Sequence, residues 1–131
     1  MTTSSPLQIK STNRTVSGPR FQRQGEKVIL EYDYERDDGG TEWIQIVFED
    51  VLDFEYRQDV CCDEEDVIRA TEIRSLTQSE RLSRVLKLWQ ERVGWQIWQQ
   101  KQGGVGRFKH FKLYFDDAGC VDVIAASCQV K

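Results

Sequence analysis

The sequence predicts an α+β fold in which one main α-helix packs on one face of an antiparallel β-sheet. Residues 28–57 and 111–126 alternate apolar and polar side chains with the period of two that is typical of strands, and short turn sequences interrupt both stretches. Between them, residues 82–93 carry apolar side chains at helical spacing. The predicted order of elements is therefore βββ(β)–α–ββ.

The length of 131 residues and the hydrophobic content of 39% suit one ordinary domain that buries a core without metals or disulfides. Residues 1–25 are rich in Ser, Thr, Gln and Arg and carry few apolar side chains. We expect them to form a flexible basic N-terminal arm, with a short edge strand near 7–9 or 16–21 as the alternative. Residues 26–131 are expected to form a single compact α+β domain.

The first strands are predicted to form a three-stranded meander over 28–35, 43–48 and 51–57. The turn sequence at 37–40, Asp-Asp-Gly-Gly, supplies residues that tolerate the positive φ of a hairpin, and Glu49-Asp50 resembles a second tight turn. Strands joined by short turns run antiparallel. One side of this meander should be apolar and buried, and the other should face water.

The remaining elements are a possible fourth strand at 67–74, the helix and a C-terminal hairpin. Thr77 and Glu80 fit a capping box at the start of the helix, and Gly94 is a plausible helix stop. The apolar stripe of the helix should face the core, and its opposite side should be solvated. The stripe contains Leu82, Val85, Leu86, Trp89 and Val93, and the opposite side contains Arg81, Arg84 and Lys87. Strands at 111–115 and 120–126, joined by a turn at 116–119, form the predicted hairpin.

The four cysteines are Cys61, Cys62, Cys120 and Cys128. They form no Cys-x-x-Cys pair, and His110 is the single histidine, so the pattern disfavours a zinc site. We expect two reduced thiols at 61–62 rather than a strained vicinal disulfide. The N-terminus lacks the apolar core of a signal peptide, and no stretch reaches membrane-spanning length. These observations predict a soluble cytoplasmic protein.

Motifs that would indicate catalysis or nucleotide binding are weak. The glycines at 103–106 are not followed by a predicted helix that would aim amides at a phosphate. A Cys–His–Asp set can be drawn from His110, Cys120 and either Asp116 or Asp122. A surface histidine and a half-buried structural cysteine are the favoured interpretation. The sequence therefore predicts no catalytic residue, no cofactor and no metal site, and we do not expect an enzyme.

Charge is distributed unevenly along the chain. Residues 26–66 carry sixteen acidic and three basic side chains, whereas residues 1–25 carry four basic side chains and no acidic one. Residues 67–131 carry eleven basic and six acidic side chains, so the net charge of −4 conceals a polarised sequence. Such a split either steers a partner or is cancelled when the segments fold together.

Five residues form the predicted partner-binding surface. In the predicted meander, Glu31, Asp33, Asp53 and Glu55 lie opposite the apolar side, and Trp43 lies among them. An exposed tryptophan is enriched among interface hot spots, and surrounding negative charge accelerates encounter with a basic protein. The same charge repels phosphate, which disfavours nucleic acid.

The predicted function is that of a small non-catalytic cytosolic protein-binding module, of inhibitor or immunity type, that recognises a basic protein. A first alternative is self-association, in which the acidic side of one copy meets the basic segments of another. A second alternative is a small-ligand or enzyme domain with a pocket between helix and sheet. The aromatic residues expected near such a pocket are Trp89, Trp95, Trp98 and Tyr114.

Overall fold

The computed structural model describes residues 7–8, 19–58, 61–62, 72–94, 105–115 and 119–131. Within these ranges the chain forms nine strands and one α-helix. The strands are β1 (Leu7–Gln8), β2 (Arg20–Gln24), β3 (Lys27–Glu35), β4 (Thr41–Glu49), β5 (Asp53–Gln58), β6 (Glu72–Leu76), β7 (Lys109–Phe115), β8 (Gly119–Ala125) and β9 (Ser127–Val130). The helix α1 (Glu80–Trp89) continues into a π-helical turn at Gln90–Gly94, and a 3₁₀ turn spans Val105–Arg107.

The strands form two sheets, and within each sheet all neighbouring strands are antiparallel. The five-stranded sheet has the order β1-β6-β7-β8-β5, and the four-stranded sheet has the order β2-β3-β4-β9. The chain passes from one sheet to the other at Ala126, between β8 and β9. The two sheets are thus covalently joined by consecutive strands.

The main core lies between the two sheets. Alternate residues of each strand point into it, as the period of two requires. From the four-stranded sheet it contains Leu30, Tyr32, Ile44, Ile46 and Phe48, and from the five-stranded sheet Ile73, Phe111, Leu113, Phe115, Val121, Val123 and Ala125. Aromatic rings meet across this core, because Tyr32 and Phe115 pack edge to face with centroids 5.3 Å apart.

Helix α1 covers the outer face of the five-stranded sheet. Leu82 and Val85 are buried against Phe108 and Ile124. Trp89 lies at the end of this contact, where its indole Nε1 donates to the carbonyl of Leu52 at 3.3 Å. The structure is therefore an α+β fold with a helical layer on one side, and the predicted antiparallel class with one main helix and a C-terminal hairpin is confirmed.

A three-stranded meander is present, but its strands are β2, β3 and β4. The predicted third strand, at 51–57, is β5, which pairs with β8 in the other sheet. After Asp50, which has a φ of 53°, the chain does not reverse along β4. Instead the Val51 amide donates to the carbonyl of Glu26, and the Leu52 amide donates to that of Ile124. These two bonds direct the chain from the four-stranded sheet to the five-stranded one.

The other predicted elements are found with small shifts. The turn at 37–40 joins β3 to β4, and Gly39 adopts a φ of 86° there. Strand β6 overlaps the end of the predicted fourth strand, whose first part, 67–71, lies outside the described residues. Of the predicted arm, residues 20–24 form an edge strand that pairs with β3, and residues 1–6 and 9–18 lie outside the described ranges.

The helix begins later than the capping-box pattern predicts. Its N-cap is Ser79, not Thr77, and the Ser79 hydroxyl accepts from the amide of Leu82 at 3.0 Å. Arg81, predicted to be solvated, contacts carboxylates of β5. The sequence could not indicate this start, because Ser79 also contacts a side chain of β7 that lies 31 residues further along the chain.

Truncation of Leu30 to alanine should lower the free energy of unfolding by about 2–5 kcal/mol, because Leu30 is fully buried between the sheets. The matched control is Leu88→Ala on α1, where the side chain is 43% exposed and a change within about 0.5 kcal/mol is expected. Urea unfolding followed by circular dichroism measures both. Equal losses in the two variants would contradict the sandwich core described above.

Candidate functional site

The five residues of the predicted partner-binding surface lie on two different sheets. Glu31, Asp33 and Trp43 belong to the outer face of the four-stranded sheet. Asp53 and Glu55 belong to β5, on the face of the five-stranded sheet that α1 covers. The transfer of β5 to the other sheet separates the two groups, so the structure does not bring the five together as one patch.

Trp43 is exposed on the outer face of the four-stranded sheet, with 44% of its surface accessible. The guanidinium of Arg20, on the neighbouring edge strand β2, lies 4.1 Å from the centre of the indole ring. The same guanidinium is 3.4 Å from the carboxylate of Glu31, its cross-strand partner. Arg20 therefore holds the indole by a cation–π contact while it neutralises part of the nearby negative charge.

Asp33 is directly opposite Trp43 in the register of β3 and β4, but it is only 2% exposed. The expectation that it faces water is therefore wrong. Next along the same side of β3 is Glu35, which is exposed and flanks Trp43 diagonally. The carboxylates accessible beside Trp43 are thus those of Glu31 and Glu35.

Asp53 and Glu55 share one cation, Arg81, in the first turn of α1. The Arg81 guanidinium lies 2.7 Å from the Asp53 carboxylate and 2.8 Å from that of Glu55. Burial works against the charge on Arg81, but the hydrogen bonds and negative charges of Glu55 and Asp53 outweigh it and raise its pKa above the ordinary value. These two carboxylates anchor the helix to the edge of the sheet.

Asp122, on the interior strand β8, is a carboxylate buried in the same face of the sheet. Its Oδ2 accepts from Nη2 of Arg57 at 2.6 Å, and its Oδ1 lies 2.6 Å from Nε2 of His110. Lys112, its cross-strand partner on β7, adds a positive charge at 4.0 Å. Burial raises the pKa of Asp122, but the hydrogen bond and charge of His110 and the charges of Lys112 and Arg57 together lower it to about 2.

His110 links this carboxylate to the helix. The ring is 5% exposed, which corrects the expectation of a surface histidine. Its Nδ1 lies 2.8 Å from Oγ of Ser79, the N-cap of α1. With Nε2–H donated to Asp122, the neutral ring accepts at Nδ1 from the Ser79 hydroxyl, whereas the protonated ring donates from Nδ1 to the Ser79 oxygen. The buried carboxylate thereby fixes the tautomer of the histidine that receives the helix cap.

These contacts form one continuous polar network across the outer face of the five-stranded sheet. The Glu55 carboxylate lies 3.7 Å from Nε of Arg57, and this contact joins the ion pairs of Arg81 to the contacts of Asp122. We call this set the Asp122 network, and its members in order are Asp53, Arg81, Glu55, Arg57, Asp122, His110 and Ser79. The network contacts the helix twice, at Arg81 in the first turn of α1 and at its N-cap Ser79, so it closes on the helix.

The Ser79, His110 and Asp122 side chains follow each other in the donor and acceptor order of a nucleophile, a base and an orienting acid. The Ser79 oxygen, however, already accepts the Leu82 amide as the helix cap, and the imidazole is buried. We interpret the arrangement as the attachment of the helix to the sheet. Sequence patterns offered one signal for it, since Asp122 is the single charge within the apolar run 120–126.

A disulfide joins Cys62, after β5, to Cys120 at the start of β8, with Cα atoms 6.0 Å apart. The prediction of two reduced thiols at 61–62 is therefore wrong for Cys62, and the Cys–His–Asp set is not assembled, because Cys120 is used in the disulfide. Cys61 is a free, exposed cysteine. Burial raises the pKa of the second free cysteine, Cys128, to about 12, so its thiol stays protonated at neutral pH.

Two broader surveys of the described ranges complete the description of the site. Within them, no three His, Cys, Asp or Glu side chains converge in a group that could hold a metal ion. The helical segments in the same ranges lack the combination of length and apolar character that a bilayer crossing requires. In comparisons with known proteins, no family model, no curated protein and no solved structure matches the chain.

The stability of the protein should fall as the pH is lowered from about 4 to about 2, and Asp122 should account for about 2 kcal/mol of that loss. The pKa of Asp122 in the folded state, about 2, lies below its ordinary value of 3.8, so its contribution is complete above that value and is lost as acid protonates the folded protein. Urea unfolding measured across this range checks the slope.

The variant for this measurement is Asp122→Asn, which should be less stable at neutral pH and show a flatter acid dependence. Asp38→Asn is the control, because Asp38 lies in the exposed β3–β4 turn and its loss should leave the acid slope of the wild type. An unchanged slope in Asp122→Asn would contradict the assigned role of the buried carboxylate.

Opening the Cys62–Cys120 disulfide should reduce the free energy of unfolding by roughly 2–4 kcal/mol, because the link constrains a loop of 58 residues in the unfolded chain. Cys62→Ser should reproduce the loss, and Cys61→Ser should leave stability unchanged. Alkylation of the native protein without reductant, followed by mass spectrometry, should modify Cys61 and spare Cys62. Rapid modification of Cys62 would contradict the assigned pairing.

Proposed function

We propose that this chain is a small, non-catalytic protein-binding domain that docks a basic partner protein on the outer face of its four-stranded sheet. The site is a Trp43 patch, which we define as Trp43, Arg20, Glu31 and Glu35. Asp33, directly opposite Trp43 in the register, is a buried neighbour of this patch. Asp53 and Glu55 are not part of the proposed site, because Arg81 already holds both.

The observation that carries the proposal is the exposed indole of Trp43 with the guanidinium of Arg20 stacked on it at 4.1 Å. Tryptophan and arginine are two of the residue types most enriched among interface hot spots. The stack and the ion pair with Glu31 restrict both side chains before a partner arrives, which lowers the entropy that binding costs.

The surrounding charge supports a basic partner. Along β3 and the turn that follows it, residues 31–38 contain five carboxylates, and the guanidiniums of Arg20 and Arg36 are the cations beside them. The excess negative charge would steer a basic protein toward Trp43 and would make association faster at low salt than at high salt. An inhibitor or immunity-type role against a basic toxin or enzyme uses the same physics.

The cellular compartment of the protein is a question separate from its binding function. The sequence predicts a cytoplasmic protein, whereas a disulfide between Cys62 and Cys120 is typical of an oxidising environment. The proposed docking mode needs neither, because the Trp43 patch contains no cysteine. We therefore propose the binding function without assigning a compartment to it.

Trp43→Ala should reduce partner affinity about 30-fold or more, which corresponds to a hot-spot loss of about 2 kcal/mol. The matched control is Leu88→Ala, which removes a side chain of nearly equal exposure from α1. Wild type, Trp43→Ala and Leu88→Ala serve as the three baits in quantitative affinity capture from host extract, with isotope labelling. The measurement identifies proteins that wild type and Leu88→Ala retain and that Trp43→Ala loses.

A basic protein with that profile, whose measured association rate also falls with salt and with Glu31→Lys plus Glu35→Lys, supports the proposal. If every captured protein binds Trp43→Ala as well as Leu88→Ala, the proposed site is wrong. Sedimentation of the purified chain at low and high salt separates an outside partner from a second copy of the chain.

A further inference from the structure

An apolar groove lies at the open side of the sandwich, between edge strand β2, edge strand β5 and the end of α1. Its volume is about 460 Å³, which is within the range of sites for small organic ligands. The apolar part of its lining consists of Phe21, Val28, Val51, Leu52, Phe54 and Trp89. The groove is on a different part of the molecule from the Trp43 patch.

Contacts among the lining residues hold the groove open in a defined shape. The rings of Phe21 and Phe54 pack edge to face with centroids 5.0 Å apart, which joins the two sheets at the floor of the opening. Trp89 is oriented by its hydrogen bond to the carbonyl of Leu52. Phe21 nevertheless remains 37% exposed, so an apolar surface faces solvent inside a preformed recess.

Arg23 is the cation that this groove presents. It pairs with Val28 in the register of β2 and β3, so it shares the core-facing side of β2 with Phe21. Its Nε donates to the carbonyl of Gly25 at 3.0 Å. Among the described residues, no carboxylate lies within ion-pair distance of its guanidinium.

Several other charged side chains at this end of the molecule are paired, whereas the exposed Glu26 of the β2–β3 turn has no ion pair among the described residues. Asp53, which also lines the groove, is held by Arg81, and Lys27 lies 3.5 Å from Glu49. Asp50 is bound by Arg107. Arg23 therefore presents a guanidinium without a carboxylate partner in the described part of the chain beside an aromatic recess, and the complementary ligand has an apolar body and one negative group.

We propose that the groove binds a small amphipathic organic anion, whose flat apolar body lies against Phe21, Phe54 and Trp89 while its carboxylate or sulfonate is held by Arg23. This site goes beyond the proposed protein-binding function and does not depend on it. Phe21 and Trp89 supply affinity through apolar contact, and Arg23 supplies the selectivity for an anion over a neutral molecule of the same shape.

Two fluorescent probes of similar shape test the proposal. One is the anion 1-anilinonaphthalene-8-sulfonate, and the other is neutral N-phenyl-1-naphthylamine. Each is titrated into native protein at low ionic strength. Arg23→Gln should weaken binding of the anion about tenfold and leave the neutral probe unchanged, because it removes a charge-assisted hydrogen bond. Phe21→Ser should weaken both probes, because it removes part of the apolar wall.

The controls are Arg23→Lys, which should restore most of the anion affinity, and Arg36→Gln, which removes an exposed arginine of the β3–β4 turn and should change neither probe. The proposal is overturned if the native protein binds neither probe, if Arg23→Gln weakens both equally, or if Phe21→Ser has no effect. A failure to find a Trp43-dependent partner would contradict the protein-binding proposal but not the groove. A failure of probe binding would contradict the groove proposal but not the Trp43 patch.

Discussion

The buried carboxylate of Asp122 is the constraint on which the arrangement of helix and sheet depends. A charge removed from water costs several kcal/mol unless ionic and hydrogen-bonding partners replace its hydration. Here those partners come from Arg57 on β5, and from His110 and Lys112 on β7. Satisfying one side chain of β8 therefore positions both neighbouring strands, and through Ser79 it positions the helix cap as well.

The contacts that hold the helix to the sheet differ in kind from those that hold the two sheets together. On the outer face of the five-stranded sheet, directional polar contacts hold the helix together with the apolar packing of Leu82 and Val85, whereas the interior between the sheets is an apolar core. Three carboxylates of the chain, Asp53, Glu55 and Asp122, are paired in the network on this outer face. The carboxylates beside Trp43 lie outside this network, on the outer face of the four-stranded sheet, so they can serve recognition without weakening the attachment of the helix.

The sequence predicted those parts of the fold that depend on neighbouring residues. It did not predict the strand pairing that depends on residues far apart in the chain. The alternation in β3, the turn at 37–40 and the apolar stripe of α1 each depend on neighbouring residues, and all three are found. The partner of β5 is set by contacts with β8, more than 60 residues away. Alternation indicates which side of a strand is buried, but not which sheet the strand joins.

The same distinction applies to the site residues. The exposure of Trp43 follows from its place in the alternation, but the stacking of Arg20 depends on an edge strand whose sequence is polar except for Phe21. His110 was expected at the surface because histidine is polar and shares its side of the strand with Lys112. Its burial follows from Asp122 across the hairpin, which required a register that the turn sequence does not specify.

The late pairing of β5 has a consequence for synthesis on the ribosome. Strands β2, β3 and β4 are close in sequence and can pair as they emerge, but the nearest partner of Gln58 is Gly119, about 60 residues later. At ordinary elongation rates of about 5–20 residues per second, β5 waits roughly 3–12 s for β8. During that interval Phe54 and Tyr56 lack their neighbours on β8, and Phe21 is the aromatic neighbour already available to shield them.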